Sequence, residues 1–375
     1  MEDTLHLIDV IILIGISQGV FLSFGILRIP ENNKKANSIL SILIGVCTLI
    51  LIGRYIFYSH LTISFYQLSL VFDSLIFLFA PLLYIYTRRL LYKENLDYLL
   101  PIYHLTPFFL FLIGSILNLF IYTSSEYYQS IIIGDYILLF NTTIVIMIAY
   151  NTYYLIRSSL LVSSYKENEK HVFSFEQSPL TYLYLFHFVM FICFGIWLFS
   201  FITQTVFGTY SSIVNYDTLW MVIPGFLYII GYFSLKQPAL FRMPIEEKKN
   251  VQKIRISPKE SIILKKKLDV LMKKEKLFLQ GDLTLTDVAG RLETSRNNIS
   301  WLLNNYYNLT FNDFINSYRI KEFIRKIEEG QHLSHTILAI SIDVGFNSKS
   351  TFNKAFKHKM GDTPSSFIRK KEAIV

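Results

Sequence analysis

The chain has 375 residues, 52% hydrophobic and 16% aromatic, with a formal net charge of +8. Residues 1–235 carry 10 Lys/Arg against 13 Asp/Glu, whereas the remainder carries 26 against 15. That length and that split exclude a single small soluble domain: one half is written for an apolar solvent, the other for an anionic partner in water.

Seven apolar segments follow one another at about 7–27, 38–58, 66–87, 101–122, 131–156, 180–207 and 217–235. Each approaches the roughly 20 residues that a bilayer-crossing helix needs. The stretch ahead of the first, MEDTLHLID, is acidic and lacks the basic region of a signal peptide, so the first segment reads as a retained membrane helix. The first, third and fifth connections hold Arg28, Lys34, Lys35, Arg88, Arg89, Lys93, Arg157, Lys166 and Lys170, and the second, fourth and sixth hold no Lys or Arg. Positive charge stays on the cytoplasmic side, which predicts the N-terminus outside and the basic half inside. The two cysteines, Cys47 and Cys193, lie within apolar segments, so neither a disulfide framework nor a cysteine metal centre is expected.

Ionisable residues within a span are costly and mark candidate sites. Arg54, Asp73 and Asp135 form the candidate intramembrane polar site, with Asp9, Asp217, Asn141 and Tyr136 near the same ends of their spans. The alternative is a structural ion pair between Arg54 and Asp73 beside merely interfacial aspartates. His104 and His187 read as hydrogen-bonded bundle residues rather than metal ligands.

Pro238 and Pro244 end the seventh segment, and 236–258 reads as a charged juxtamembrane linker. Ser257-Pro258 opens a helix, with Pro at its first position. Its expected apolar stripe is Ile263, Leu264, Leu268, Leu271 and Met272; it would pack on the following domain or pair with a second copy.

Residues 284–307 then spell a short helix, a break and a second helix. Ala289 permits close approach and Ser295 is an expected N-cap. Ile299, Leu302, Leu303 and Tyr306 form the expected core face. The opposite face carries Asn297, Ser300, Trp301 and Asn304, and Asn can bond adenine bidentately in the major groove. A long helix over 311–329 follows, ending at Gly330. The two-helix pattern then returns: Ile337, Ile340 and Val344, a turn at Gly345-Phe346, Ser348 as a cap, and a core face of Phe352, Ala355 and Phe356. The far face of that last helix holds Lys349, Ser350, Asn353, Lys354 and Lys357. Gly361 stops it, and Thr363-Pro364 starts a final helix.

Gly345-Phe346, Phe352, Phe356-Lys357, Gly361, Thr363-Pro364 and Arg369 resemble the signature of AraC/XylS-type DNA-binding domains, over about 260–372. The first unit looks like the variant found in membrane-anchored members of Bacteroidota-type bacteria. The resemblance implies a bacterial transcription regulator with two helix-turn-helix motifs per subunit. It also implies base contacts from Asn297, Ser300, Trp301, Lys349, Ser350, Asn353 and Lys354. Ser341 stands where the family usually has Ala, Asn308 where it has Gly, and Trp301 where a polar or basic residue is common.

The expected fold is therefore all-α: a seven-helix transmembrane bundle over 1–235, a linker over 236–258 and a cytoplasmic domain with two helix-turn-helix motifs over 259–375. The expected function is a membrane-embedded, one-component transcription regulator in the bacterial inner membrane. Its expected partners are double-stranded DNA, the lipid bilayer, an unidentified ligand and a second copy as homodimer. The alternatives are a transporter-like or purely anchoring membrane half fused to a constitutive DNA-binding domain. No phosphate loop, HExxH or nucleophile elbow points to an enzyme. No cofactor or metal is expected, and His332 and His335 read as a chance pair in a polar turn.

Overall fold

The computed structural model describes residues 7–28, 34–58, 66–92, 97–175, 179–209, 216–236 and 257–372. It is helical almost throughout; among the described residues, pairing of extended chain is limited to an isolated antiparallel bridge from Phe173 to Thr284. The chain forms two compact units. The first comprises Met1–Ser163 and Ser178–Glu247, the second Ser164–Gln177 and Lys248–Val375.

The first unit contains α1 (Leu7–Leu27), α2 (Lys34–Tyr58), α3 (Tyr66–Asp73), α4 (Ile76–Leu91), α5 (Thr106–Ile121), α6 (Ser124–Ile133), most of α7 (Ile137–Val172), α8 (Pro179–Thr205) and α9 (Tyr216–Lys236). Among the described residues six helical segments are long and apolar enough to cross a membrane, with α3 and α4 counted as one. The expected seventh is α9, but its apolar stretch, Thr218–Phe233, is shorter than the other six.

Three details depart from the sequence expectation. The third segment is broken: Ser74 and Leu75 form a turn, and the Leu75 and Phe77 amides bond three residues back, to Phe72 and Ser74. The connection expected near 123–130 is a helix, opened by a capping box between Thr123 and Glu126 and closed by left-handed Gly134. The fifth segment does not end at 156. From Ile137 to Val172 there is no Gly or Pro to interrupt it, so α7 runs for 36 residues and takes Arg157, Lys166 and Lys170 into the helix.

Small residues set the packing of α1. A Cβ on Gly15 would lie 2.6 Å from Pro224 Cγ, and one on Gly19 would collide with the Thr48 hydroxyl, so α1 lies directly on α2 and α9. Close backbone approach of this kind is how helices associate where lipid supplies no hydrophobic drive. Several polar groups within the bundle are paired. His187 bonds the Leu183 carbonyl and the Ser158 hydroxyl, each at 2.7 Å, and Ser158 donates to Thr87 at 2.9 Å. His104 meets the Tyr154 hydroxyl at 2.6 Å. Both histidines are thus bundle residues.

The second unit contains α10 (Pro258–Lys273), α11 (Leu285–Arg291), α12 (Arg296–Leu302), α13 (Phe311–Glu328), α14 (Ile337–Asp343), α15 (Lys349–Met360) and α16 (Pro364–Glu372). Of the proposed 236–258 linker, residues 237–256 lie outside the described residues. Two apolar cores share α13. Phe311, Phe314 and Ile315 close the first with α10, α11 and α12, and Ile320, Phe323 and Ile327 close the second with α14, α15 and α16. On α10, Leu264, Leu268, Leu271 and Met272 enter the first core as expected, whereas Ile263 faces outward.

Candidate nucleic-acid interface

Each two-helix unit is built by local chemistry. Thr284 and Asp287 form a capping box at the start of α11, Ser295 caps α12 by accepting from the Asn298 amide, and Ser348 does the same for α15 from Thr351. These caps satisfy N–H groups that the first helical turn leaves without partners. The two turns correspond: the Thr294 amide bonds the Ala289 carbonyl and the Phe346 amide bonds the Ser341 carbonyl, each at 3.0 Å. The residue just before each donor is left-handed, Glu293 at φ 52° and Gly345 at φ 100°. Ala289 and Ser341 are both buried at the crossing, where a small side chain is needed.

The core face of α12 differs from expectation by one residue. Ile299, Leu302 and Leu303 are buried, but Tyr306 is 42% exposed. Residues Leu303–Tyr307 form a π turn, which adds a residue to the helical repeat and rotates Tyr306 off the core. Tyr307 takes its place, its ring 4.9 Å from that of Phe314 and its hydroxyl donating to Asp269 at 3.0 Å. Left-handed Asn308 then ends the turn, in the conformation that Asn tolerates.

The expected contact residues divide between two helices. Asn297, Ser300, Trp301 and Asn304 lie on α12 and the π turn that continues it; Lys349, Ser350, Asn353, Lys354 and Lys357 lie on α15. All are exposed except Ser300 and Trp301, which are half-buried. The Trp301 ring meets the Tyr306 ring edge-on at 5.9 Å, so part of its surface is spent on packing. Beneath the α15 face, Phe352 and Phe356 are fully buried. Lys357, His358 and Lys359 close α15, and Arg369, Lys370 and Lys371 close α16, placing positive charge at the negative ends of two helix dipoles.

Between the cores sits Arg319, 1% exposed. Its Nε donates to the Phe278 carbonyl at 2.8 Å, and its Nη2 to the Gln280 carbonyl at 2.6 Å. Its guanidinium lies 5.6 Å from the Phe346 ring. Gly345 packs on the same spot: a Cβ there would lie 2.7 Å from the Phe278 oxygen and 2.9 Å from Arg319 Nε. Arg319 thereby touches the backbone ahead of α11, the turn between α14 and α15, and a third element that sequence reasoning missed. That element is the short segment directly after α7. Nη1 donates to the Ser174 carbonyl at 2.9 Å and Nη2 to the Ser174 hydroxyl at 3.1 Å. The Ser174 amide donates to the Leu283 carbonyl at 3.1 Å, and Asn312 Nδ2 to the Phe173 carbonyl at 3.2 Å. Phe173 and Ser174 are both buried. Residues 173–175 are thus a strap set into the helix-turn-helix domain. The one signal in the sequence was an arginine on an apolar face, four residues from both Ile315 and Phe323. Burial lowers the Arg319 guanidinium to about 10, offset in part by Asp282, so it stays charged at neutral pH.

Nearby, Glu322 accepts from Lys276 at 2.9 Å and Arg325 at 2.7 Å. Its hydrogen bond from Arg325, reinforced by Lys276, holds its carboxyl down to about 2.

In the first unit Arg54 and Asp73 pair at 2.5 Å, whereas Asp135 is exposed in the turn between α6 and α7 and joins neither. The side chain of Asp217 lies outside the described residues.

Two helix-turn-helix units on one shared helix, each with a polar or basic outer face, define a DNA-binding domain of a transcription regulator. Residues 276–370 match the helix-turn-helix domain family of AraC type, a DNA-binding and not an enzyme family. The apolar N-terminal half has no family match. No curated protein and no solved structure matches the chain.

Proposed function

We propose that the protein is a membrane-embedded transcription regulator in which the apolar half governs the DNA-binding half. The bundle crosses the bilayer seven times, α9 included, with its N-terminus outside and the second unit in the cytoplasm. The DNA-binding unit takes double-stranded DNA on α12 and α15, through Asn297, Ser300, Trp301 and Asn304 and through Lys349, Ser350, Asn353, Lys354 and Lys357. The domain boundaries at 235 and 258 belong to this reading, with one addition: residues 164–175 act with the DNA-binding domain.

The observation that carries the regulatory part is the strap. A helix of 36 residues is about 54 Å long, against about 30 Å of bilayer hydrocarbon. α7 therefore has some 16 residues more than a crossing needs. That excess leads into Phe173 and Ser174, held by Arg319 between the two cores that position α12 and α15. A purely anchoring bundle has no use for a second attachment at that joint. A ligand or membrane state that favours one bundle arrangement shifts α7, and the shift alters how the two recognition helices are held.

The test uses the full chain and a promoter found by genome-wide mapping of bound sites. Replacing Phe173 and Ser174 by glycine frees the strap. Promoter output should then become independent of the membrane half, while DNA affinity changes only a few-fold. Output that still tracks the state of the bundle sinks the sensing reading and leaves an anchored DNA-binding protein.

A further inference from the structure

The first unit holds a partly open cavity of about 420 Å³, with walls from α2, α3, α4, α5, α7, α8 and α9. Its surface is mostly apolar, with Phe79, Phe111, Phe140, Trp197, Trp220 and Met190 prominent. Its one charged feature is the Arg54–Asp73 pair, and the break that follows Asp73 at Ser74-Leu75 lies at its edge, between the lining residues Asp73 and Ile76. Interrupted spans often mark binding sites in membrane proteins.

The Arg54 guanidinium is only partly used. Nη2 is committed to Asp73, and one face lies 4.4 Å from the Trp220 ring, but Nε is buried with no hydrogen-bond partner among the described residues. A buried donor left in this state is costly, which makes it a place where an acceptor binds. Asp73 already balances the charge of Arg54. A ligand carrying a further full charge would bury it uncompensated, whereas a neutral oxygen would not.

We infer that this cavity is a binding site for a neutral, largely apolar molecule bearing a carbonyl oxygen, which accepts from Arg54 Nε–H while its apolar body fills the aromatic chamber. Sugars, amino acids and ions do not fit such a wall. The same chemistry is available from a free small molecule or from the ester of a bilayer lipid. The site stands on the cavity alone; that its filling is the regulatory signal rests on the function proposed above.

Trp197 and Trp220 line the cavity and report on it. The full chain in a Trp301→Phe background, in diether-lipid nanodiscs, is titrated with methyl 10-bromodecanoate, 1-bromodecane and 10-bromodecanoate. The ester should quench tryptophan fluorescence saturably, with a midpoint about tenfold below that of the alkane, and the anion should be weaker than the ester. An Arg54→Met/Asp73→Leu double variant, apolar and of similar volume, should fold and lose the preference for the ester. Equal or non-saturable quenching by all three probes, or strongest binding of the anion, overturns the assignment. Saturation in diether but not diester nanodiscs identifies the bilayer ester as the occupant and supports it. If the ester binds as described but leaves promoter output in cells unchanged, the site stands and its regulatory role falls.

Discussion

Arg319 and Ser174 lie 145 positions apart in the chain and share two hydrogen bonds, at 2.9 and 3.1 Å. The same guanidinium holds the backbone at Phe278 and Gln280. One buried cation therefore fastens the segment directly after the longest helix to the joint between two helix-turn-helix units.

Removing that cation strands two buried carbonyls, of Phe278 and Ser174, and the part-buried one of Gln280. An Arg319→Leu variant should lose about 3 kcal/mol or more of stability in the second unit. Ser174→Ala, which deletes one hydroxyl and leaves the carbonyl bond, should lose about 1 kcal/mol or less. Hydrogen exchange of the full chain checks both. Protection at 277–285 that is unchanged by Arg319→Leu would contradict the joint described here.

Gly345 and Gly361 are both left-handed, at φ 100° and 73°. Alanine at Gly361 meets open space and should cost about 1 kcal/mol, the strain of its backbone alone. Alanine at Gly345 adds a collision with the Phe278 and Leu279 carbonyls and with Arg319, and should cost at least twice as much. Chemical denaturation of the two variants, followed by a probe in the second unit, gives the ratio.

The outer face of α15 and its inner face should respond differently to truncation. Lys354→Ala should weaken DNA binding uniformly across sequences and reduce the slope of log K against log salt by about one. Asn353→Ala should instead relax preference at one base position, by about 1–3 kcal/mol. Phe356→Ala leaves a hole in the second core and should cost about 3–5 kcal/mol of stability. Electrophoretic mobility shifts across a salt series, beside thermal melts, separate these outcomes.

Glu322 supplies a pH dependence. Its folded-state value, about 2, lies below the ordinary carboxylate value of about 4.5, because Arg325 and Lys276 favour the ionised form. The folded state then binds fewer protons than the unfolded one, so this contribution is complete above about pH 5 and is lost as pH falls toward 2. Glu322→Gln should flatten the acid limb of the stability profile of the second unit, measured by hydrogen exchange between pH 6 and 3. An unchanged limb would assign acid sensitivity to other carboxylates.

Much of the second unit is readable along the chain because its determinants are local. Ser295, Ser348, Thr363-Pro364, Gly330 and Gly361 mark helix ends within one turn of themselves. The periodicity of Ile340, Val344, Phe352 and Phe356 places the second core. The same reasoning fails at Tyr306 because a π turn changes the helical repeat, and only packing of Tyr307 on Phe314 and its bond to Asp269 reveals which repeat holds. It fails at Ile263 because α10 turns a narrower stripe to its neighbours than the run of apolar residues suggests.

Composition, charge partition and local periodicity by themselves determined a chain of apolar helices joined to a basic two-unit helix-turn-helix domain. Each of those properties is a sum over neighbours in sequence, or over long stretches of it. The sequence offered an Arg54–Asp73 ion pair as one of two readings, and the tertiary structure chose it. The end of α7 and the seat of Ser174 against Arg319 were decided by the tertiary structure alone. A buried guanidinium requires carbonyls wherever the fold brings them, and which carbonyls arrive is settled by the packing of distant helices rather than by the residues beside it.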